Sequence, residues 1–403
     1  MAHAGTIDIS RENRQAGPLA RTLVVFGLAV GLVGLAGALG LGAAVGWPKL
    51  LKSYLVAYIF GLSIGLGALF FVMLQHLTRA GWSVAVRRLA EVLTGLLPLL
   101  AVLALPILAG VRVLYPWADP ASLDPDIAAL VAEKRPYLNE PFFIGRVVAY
   151  LVIWTLLARY FLGRSVAQDA SGDVDLTRRL ERMSAPGMLL YALTVTFAAF
   201  DLVMSLKPAW YSTIFGVYLF AGSVVGALAA LILLLSGLQA SGRLTQVITP
   251  EHYHDLGKLL FAFVVFWAYI AFSQYMLIWY ANLPETTIWF AWRQTGAWAA
   301  ISVVLLLGHF VLPFLALIAR GPKRRRGLLA GAAVWMLLMH WLDVYYLIKP
   351  DGQGAVPFHL ADVACLLLVV GLGVAVVGWQ LGRQSLLAER DPRLPESVAF
   401  QNF

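Results

Sequence analysis

Ten apolar stretches, each near 20 residues long, are the feature that most limits how this chain can fold. A helix of about 20 residues crosses the ~30 Å hydrocarbon core of a bilayer. Because 60% of the residues are hydrophobic and only 13% are charged, an ordinary soluble domain is excluded. The sequence therefore predicts an all-α polytopic membrane protein. Its ten transmembrane helices are predicted at about 20–46, 53–77, 86–110, 142–163, 185–205, 211–237, 256–281, 292–319, 327–348 and 357–381.

Lysine and arginine are unevenly distributed between the two sides of this predicted bundle. The side that holds both termini carries 21 of them, and the other side carries 9. Because cytoplasmic loops are enriched in these residues, both termini are predicted to be cytoplasmic. This topology accounts for the net charge of +8 and for the basic run 323–326, which is expected to contact anionic lipid. A nucleic-acid partner is not expected.

The predicted organisation is a single membrane domain with short extensions. Its parts are a cytoplasmic N-terminal segment at 1–19, a ten-helix domain at 20–381 and a cytoplasmic C-terminal tail at 382–403. An inner loop is predicted at about 164–184. Its residues 168–182 carry charges of both signs, which favours an amphipathic segment lying on the membrane.

A long acidic outer loop is predicted at about 111–141, and it contains five prolines. One interpretation is a solvated acidic loop. The other is a docking surface for a peripheral partner, to which Trp117 and Tyr137 would contribute aromatic contacts beside prolines.

Several classes of site are absent from the sequence. It contains no Walker motif, no dinucleotide fingerprint and no His-Glu-x-x-His motif. The single cysteine, Cys365, cannot form a disulfide or hold an iron–sulfur cluster alone. Pairs of glycines four residues apart, such as Gly222 and Gly226, indicate close helix packing and not chemistry.

Ionisable residues inside apolar helices are costly unless they have a function or partners. In the outer third of the bilayer the candidates for a proton pathway are Asp201, His340, Asp343 and Asp362. A histidine can relay protons near neutral pH, and a buried carboxyl group can hold one. The alternative is that Asp201 with Lys207, and Asp343 with Lys349, form ion pairs that only orient helix ends.

His309 stands alone near the middle of the eighth helix. A lone histidine there is more typical of a helix–helix hydrogen bond than of a ligand, although it is retained as a pathway candidate. A haem held between His309 and His340 is disfavoured, because the two residues are predicted to differ in depth by about 10 Å at 1.5 Å rise per residue.

A second group of candidates lies toward the inner side and the middle of the bilayer. His76 is predicted near the inner end of the second helix, and Asp255 and Lys258 share one face at the start of the seventh. They are predicted to form a proton entry. The middle of the path would be lined by Tyr269, Ser273 and Gln274.

A family resemblance rests on two long stretches, FDLVMSLKPAWYSTIFGVYLFAG at 200–222 and HYHDLGKLLFAFVVFWAYIAFSQYMLIWYANLPETT at 252–287. They closely resemble the second NrfD/PsrC-like membrane subunit of bacterial alternative complex III. The N-terminal segment and the C-terminal tail carry no motif of that family. The resemblance implies an NrfD-like fold of two pseudo-symmetric four-helix bundles with two flanking helices.

The resemblance also implies a function. Such complexes are quinol:electron acceptor oxidoreductases of respiratory or photosynthetic electron transport in the bacterial inner membrane. The implied partners are a paralogous NrfD-like quinol-binding subunit, an iron–sulfur subunit, multihaem and monohaem cytochrome c subunits and small membrane subunits. Menaquinol or ubiquinol is the implied substrate of the complex, and haem c and iron–sulfur clusters belong to the partners.

Within such a complex this chain is expected to bind no cofactor or metal of its own and not to be catalytic alone. Its expected role is proton pathway and scaffold, with a quinone contact as a further role. A purely structural scaffold is the alternative. A stand-alone transporter is a weaker reading, because no midspan Gly/Pro break is repeated between the two halves.

Overall fold

The computed structural model describes residues 11–351, 356 and 358–402, and within those ranges every regular element is helical. Ten of the described helices are long and apolar enough to cross a membrane, which confirms the predicted number. They are numbered in chain order as α1 (Pro18–Val45), α2 (Trp47–Leu77), α3 (Gly81–Ala109), α4 (Glu140–Ser171), α5 (Val174–Leu206), α6 (Phe215–Ala240), α7 (Pro250–Ala281), α8 (Gly296–Ile318), α9 (Arg326–Ile348) and α10 (Leu360–Leu381).

The two ends of the helix bundle are named the tail face and the loop face. The tail face is covered by residues 382–402, and Arg14 before α1 joins it through an ion pair with Glu389 at 2.6 Å. The loop face carries the long connection between α3 and α4. The cytoplasmic location of the termini, which would make the tail face cytoplasmic, stays a prediction.

The connection between α4 and α5 differs from the prediction. The inner loop expected at about 164–184 is mostly helix, since α4 continues to Ser171 and α5 begins at Val174. Gly172 ends α4 in the left-handed region with φ +67°, and the Asp173 side chain accepts from the backbone N–H of Asp175 at the start of α5. The charged residues therefore lie on two extended helices, and the predicted amphipathic segment on the membrane is wrong.

The acidic outer loop is folded. It contains a helix at Pro125–Glu133 and packs on the bundle through Trp117, which is 2% exposed and contacts the ring of Phe143 at 5.2 Å between centroids. A buried tryptophan cannot serve a docking surface, so that part of the docking interpretation is wrong. The acidic side chains of Asp124 and Asp126 are exposed.

Glycines bring α1 and α10 into backbone contact. A Cβ atom on Gly27 would lie 2.4 Å from the Ala375 nitrogen, and one on Gly34 would lie 2.3 Å from the Leu368 nitrogen. Only glycine permits the two backbones to approach this closely. The glycines of α1 therefore have the packing role predicted from the sequence.

The other eight helices contact one another in two rings. Neighbouring members pack together in the ring α2–α3–α4–α5, and likewise in the ring α6–α7–α8–α9. The rings join where α2 packs on α6 and α9, and the α1–α10 pair packs on α2. Helix α2 is thus the central element, and its interior face is almost wholly buried.

The residues after α10 dock on the tail face. The Ser397 hydroxyl donates to the Trp82 carbonyl at 2.5 Å, accepts from the Ala85 N–H at 3.1 Å and lies 3.3 Å from Nε2 of His252. Leu386 and Leu387 are buried. The predicted tail at 382–403 is therefore, over its described part, packed against α3 and α7.

Candidate functional site: a buried histidine and aspartate cluster

Asp343 lies in α9, five residues before its end, and is 2% exposed. Its Oδ1 accepts a hydrogen bond from the Tyr218 hydroxyl at 2.6 Å, and its Oδ2 accepts from Nε1 of Trp267 at 3.1 Å. Among the described residues no lysine or arginine pairs with this carboxyl group. Two neutral donors only partly compensate for burying a negative charge, and a bound proton would remove that charge.

His340 lies one turn earlier in α9 and is 1% exposed. Its Nε2 is 2.7 Å from the Ser63 hydroxyl of α2, and its Nδ1 has no hydrogen-bond partner among the described residues. The ring packs on Gly222 and Gly226 of α6, where Cβ atoms would lie 3.1 Å and 2.8 Å from ring carbons. The close packing that this glycine pair predicts is therefore packing against His340 itself.

His309 lies in a π-helical segment, Leu306–Val311, inside α8. Such segments add a residue to the helical turn and are frequent at functional sites. The imidazole is fully buried and stacks on Trp267, with ring centroids 3.8 Å apart. Neither of its nitrogens has a partner among the described residues, so it is not the expected helix–helix hydrogen bond.

One nitrogen of His309, one of His340 and one carboxylate oxygen of Asp343 all lie within 4.8 Å of one another. The predicted 10 Å difference in depth between the histidines is therefore wrong, because it is more than twice this separation. The three residues could offer ligands to a metal ion. With metal–ligand lengths of about 2.0 Å, the ligand atoms around tetrahedral zinc lie about 3.3 Å apart. Any two of these atoms that lie near the 4.8 Å upper bound would have to move closer together to bind zinc.

A cavity of about 630 Å³ lies beside this cluster. Tyr218 and Trp267, the two donors to Asp343, also form part of its wall. The remaining wall is largely apolar and aromatic, with the buried Gln274 as a polar group whose Oε1 accepts from Ser212 at 2.9 Å. Its volume and composition are typical of pockets for small apolar ligands.

Asp201 occupies a position in α5 that parallels Asp343 in α9. Each aspartate precedes a Lys-Pro pair by six residues, at Lys207 and Lys349. Asp201 is fully buried but accepts two hydrogen bonds from the Arg146 guanidinium, at 2.8 and 2.9 Å, and one from a tyrosine hydroxyl. Its charge is therefore neutralised by a fixed cation, whereas Asp343 has no such cation among the residues that the structure describes.

The predicted ion pairs within each helix end are wrong. Lys207 pairs with Asp351 at 2.5 Å, and the buried Lys349 pairs with Asp362 at 2.7 Å and donates to a serine hydroxyl. Burial would raise the pKa of Asp351, but the ammonium groups of Lys207 and Lys52 outweigh it and lower that pKa overall. Asp362 also accepts from a backbone N–H at the start of α10, so it has a structural partner on each side.

The predicted lining of the middle of the path is only partly inside. Gln274 is buried, Ser273 is half-buried, and Tyr269 is 64% exposed on the outside of α7. At 100° per residue Tyr269 lies on the opposite side of the helix from Trp267, which is the inward residue. The prediction for Tyr269 is wrong for this reason.

The candidates near the tail face do not form one group of contacts. His76 is buried and stacks on Phe161 with 5.7 Å between centroids. Asp255 and Lys258 share one helical face, as their spacing predicts, and form an ion pair; Lys258 also donates to Asn402 of the tail at 3.0 Å. A proton entry formed by these residues stays a prediction.

Sequence reasoning missed two kinds of residue. The first kind is the set of hydrogen-bonding partners that complete the cluster, namely Tyr218, Trp267 and Ser63. The only sequence signal near them is that α5 and α9 each carry an aspartate six residues before a Lys-Pro pair. Arg293 was also missed: it is fully buried, stacks on Trp289 at 3.3 Å from its ring centroid and donates four hydrogen bonds to backbone carbonyls.

A scan against protein-family models and a search of curated proteins return no match for this chain. The resemblance of residues 200–222 and 252–287 to an alternative complex III subunit therefore stays a prediction.

Proposed function

We propose that this chain is a membrane subunit of a quinol:electron acceptor oxidoreductase complex of the alternative complex III type, in which it transfers protons. The observation that carries the proton role is Asp343, a buried carboxyl group with two neutral donors and two histidines beside it, and with no cationic partner in the part of the chain that the structure describes. A group that only oriented a helix would be expected to have a fixed cation, as Asp201 has.

The two rings of contacting helices and the flanking α1–α10 pair agree with the NrfD-like arrangement that the resemblance implies. The bacterial inner membrane, cytoplasmic termini and the partner subunits with their haem c and iron–sulfur clusters are part of the same proposal. They rest on the resemblance and on the distribution of basic residues.

In this role the chain receives protons that accompany quinol oxidation. Oxidising a quinol to a quinone releases its hydroxyl protons together with electrons, and the electrons leave through the partner subunits. Asp343 holds a proton, while His340 and His309 offer ring nitrogens to pass it on. Ser63 bonds His340 and connects the cluster to α2.

Purification from native membranes in mild detergent tests the complex. Haem c, iron–sulfur clusters and quinol-oxidising activity should copurify with the chain. A chain that is recovered alone, fully folded and without these groups would contradict the proposed complex.

His340→Gln tests the proton role in that purified complex. Glutamine keeps a hydrogen-bonding group near Ser63 but cannot take up a proton at neutral pH. Proton release per quinol in proteoliposomes should fall while subunit composition is unchanged. Poor assembly with normal turnover in what assembles would instead support the alternative of a structural scaffold.

A quinone contact is the second candidate function, and the cavity beside Tyr218 and Trp267 favours it. Ala271 lines this cavity, whereas Ala262 lies exposed on the same helix. Ala271→Phe should place a ring in part of the cavity and weaken binding of a labelled quinone, and Ala262→Phe should not. Equal binding by both variants would place the quinone outside this cavity.

A further inference from the structure

A second cavity, of about 450 Å³, lies between α3, α4 and α10 toward the tail face. It shares no lining residue with the cavity beside Asp343. Its lining residues are Thr94, Gly95, Pro98, Leu99, Ala158, Arg159, Leu162, Val376, Trp379, Gln380, Arg383 and Gln384.

The positions of Arg159 and Arg383 along their helices indicate how deep in the membrane this cavity is expected to lie. Arg159 follows an uncharged stretch at 147–158 of α4, and Arg383 follows one at 363–382 that includes most of α10. Arg159 thus lies four residues before the predicted end of its span at 163, and Arg383 lies two residues after the end of α10. Because long basic side chains near the ends of membrane spans extend toward the headgroups, we expect this cavity to lie at the boundary between hydrocarbon and headgroups.

Both arginines are available to an anion. They are exposed, and among the described residues neither has an acidic partner within salt-bridge distance. Arg383 stacks on Trp379, with its guanidinium carbon 3.9 Å from the ring centroid. This stacking orients the cation without neutralising it.

Amide groups add hydrogen-bonding capacity to the same wall. Gln380 is 8% exposed, and Nε2 of Gln384 is buried without a partner among the described residues. Gly95 leaves room for the Gln380 amide, because a Cβ atom there would lie 1.5 Å from its Nε2. A buried amide without a partner calls for a ligand that it can bond.

We propose that this cavity binds the phosphate headgroup of an anionic phospholipid. The two guanidinium groups bind the phosphate, the glutamine amides bond the glycerol and ester oxygens, and an acyl chain follows the apolar wall of Pro98, Leu99 and Val376. That apolar wall selects a lipid over free phosphate. This inference does not depend on the proposed function.

Native mass spectrometry of the delipidated full chain in detergent tests this site. The chain should bind phosphatidylglycerol in preference to phosphatidylcholine. Arg159→Gln should weaken phosphatidylglycerol binding about fivefold, and the double variant with Arg383→Gln roughly thirtyfold, given the usual contribution of a basic residue near an anionic headgroup.

The matched control is the double variant Arg179→Gln and Arg182→Gln, which removes the same charge from exposed positions of α5. It should bind like the wild-type chain. Three results would overturn the proposal: an equal loss in the control, equal binding of phosphatidylcholine, or displacement of the lipid by equimolar inorganic phosphate. The single Arg159 variant decides the matter if the double variant fails to fold. A partner polypeptide filling the cavity in the purified complex would also overturn it.

Discussion

Replacing Asp343 by asparagine removes the one titratable carboxyl group of the cluster with little change in shape. The asparagine oxygen can accept from Trp267, and its amide nitrogen can donate to the Tyr218 hydroxyl, which then serves as the acceptor. Both contacts of the wild-type carboxyl group are therefore kept. We expect a change in the free energy of unfolding of no more than about 1 kcal/mol, the net worth of one hydrogen bond.

Asp201→Asn is the matched control, because it makes the same change at the parallel position of α5. It breaks a bidentate pair with Arg146, whose side chain is only 10% exposed. Removing one member of a buried ion pair costs about 3–5 kcal/mol, and the partial exposure of Arg146 favours the lower end. This variant should assemble poorly but retain normal turnover in the complex that does assemble.

Turnover and stability should thus separate the two aspartates. In proteoliposomes, Asp343→Asn should lower proton-coupled quinol oxidation by about 10²-fold or more, the usual worth of a positioned proton carrier, with a near-normal melting temperature. Full turnover and unchanged proton release in Asp343→Asn would refute the proton role. A large loss of stability in that variant would refute the reasoning about its hydrogen bonds.

Three further changes test the structure around the cluster. Gly226→Ala would place a methyl group 2.8 Å from His340 and should lower the free energy of unfolding by about 1–3 kcal/mol. Gly237→Ala on the same helix would meet no atom of the described residues within 4 Å, so it should leave the stability unchanged. Arg293→Lys keeps the charge but cannot reach the four carbonyl bonds of the guanidinium, so it should destabilise the chain by about 2–4 kcal/mol; an unchanged melting temperature would contradict this. The pKa of Asp351 is lowered below 3.8, so its ion pairs stabilise the fold above that pH and lose this effect as pH falls through the lowered pKa. In this acid range the melting temperature of the wild-type chain should therefore fall more steeply than that of Asp351→Asn.

Hydropathy predicted the architecture well, since the number of helices depends on the length of apolar stretches alone. Ten helices appear near the predicted positions. The loop predicted at 164–184 is mostly helix, because α4 and α5 continue past their apolar parts into charged sequence. Hydropathy reports where a helix leaves the bilayer, not where it ends.

Partners within the bundle were predictable only in part. His340 and Asp343 share a face because they are three residues apart, and sequence reasoning identified both. The alternative of an ion pair between Asp343 and Lys349 is wrong, because Lys349 contacts α10 and pairs with Asp362. Which carboxylate Lys349 pairs with depends on which helices are neighbours, and the sequence does not give this. The π-helical turn around His309 is likewise not indicated by the spacing of apolar residues.

The docked residues after α10 bear on the order in which this protein can be made. Ser397 and the leucines near 386 close the tail face beneath α3 and α7, yet a ribosome produces them after all ten helices. During synthesis the buried groups around His252 and Trp82 must stay uncovered until that point. A chain truncated before residue 385 should therefore expose this face to protease, and a chain that extends through residue 402 should not.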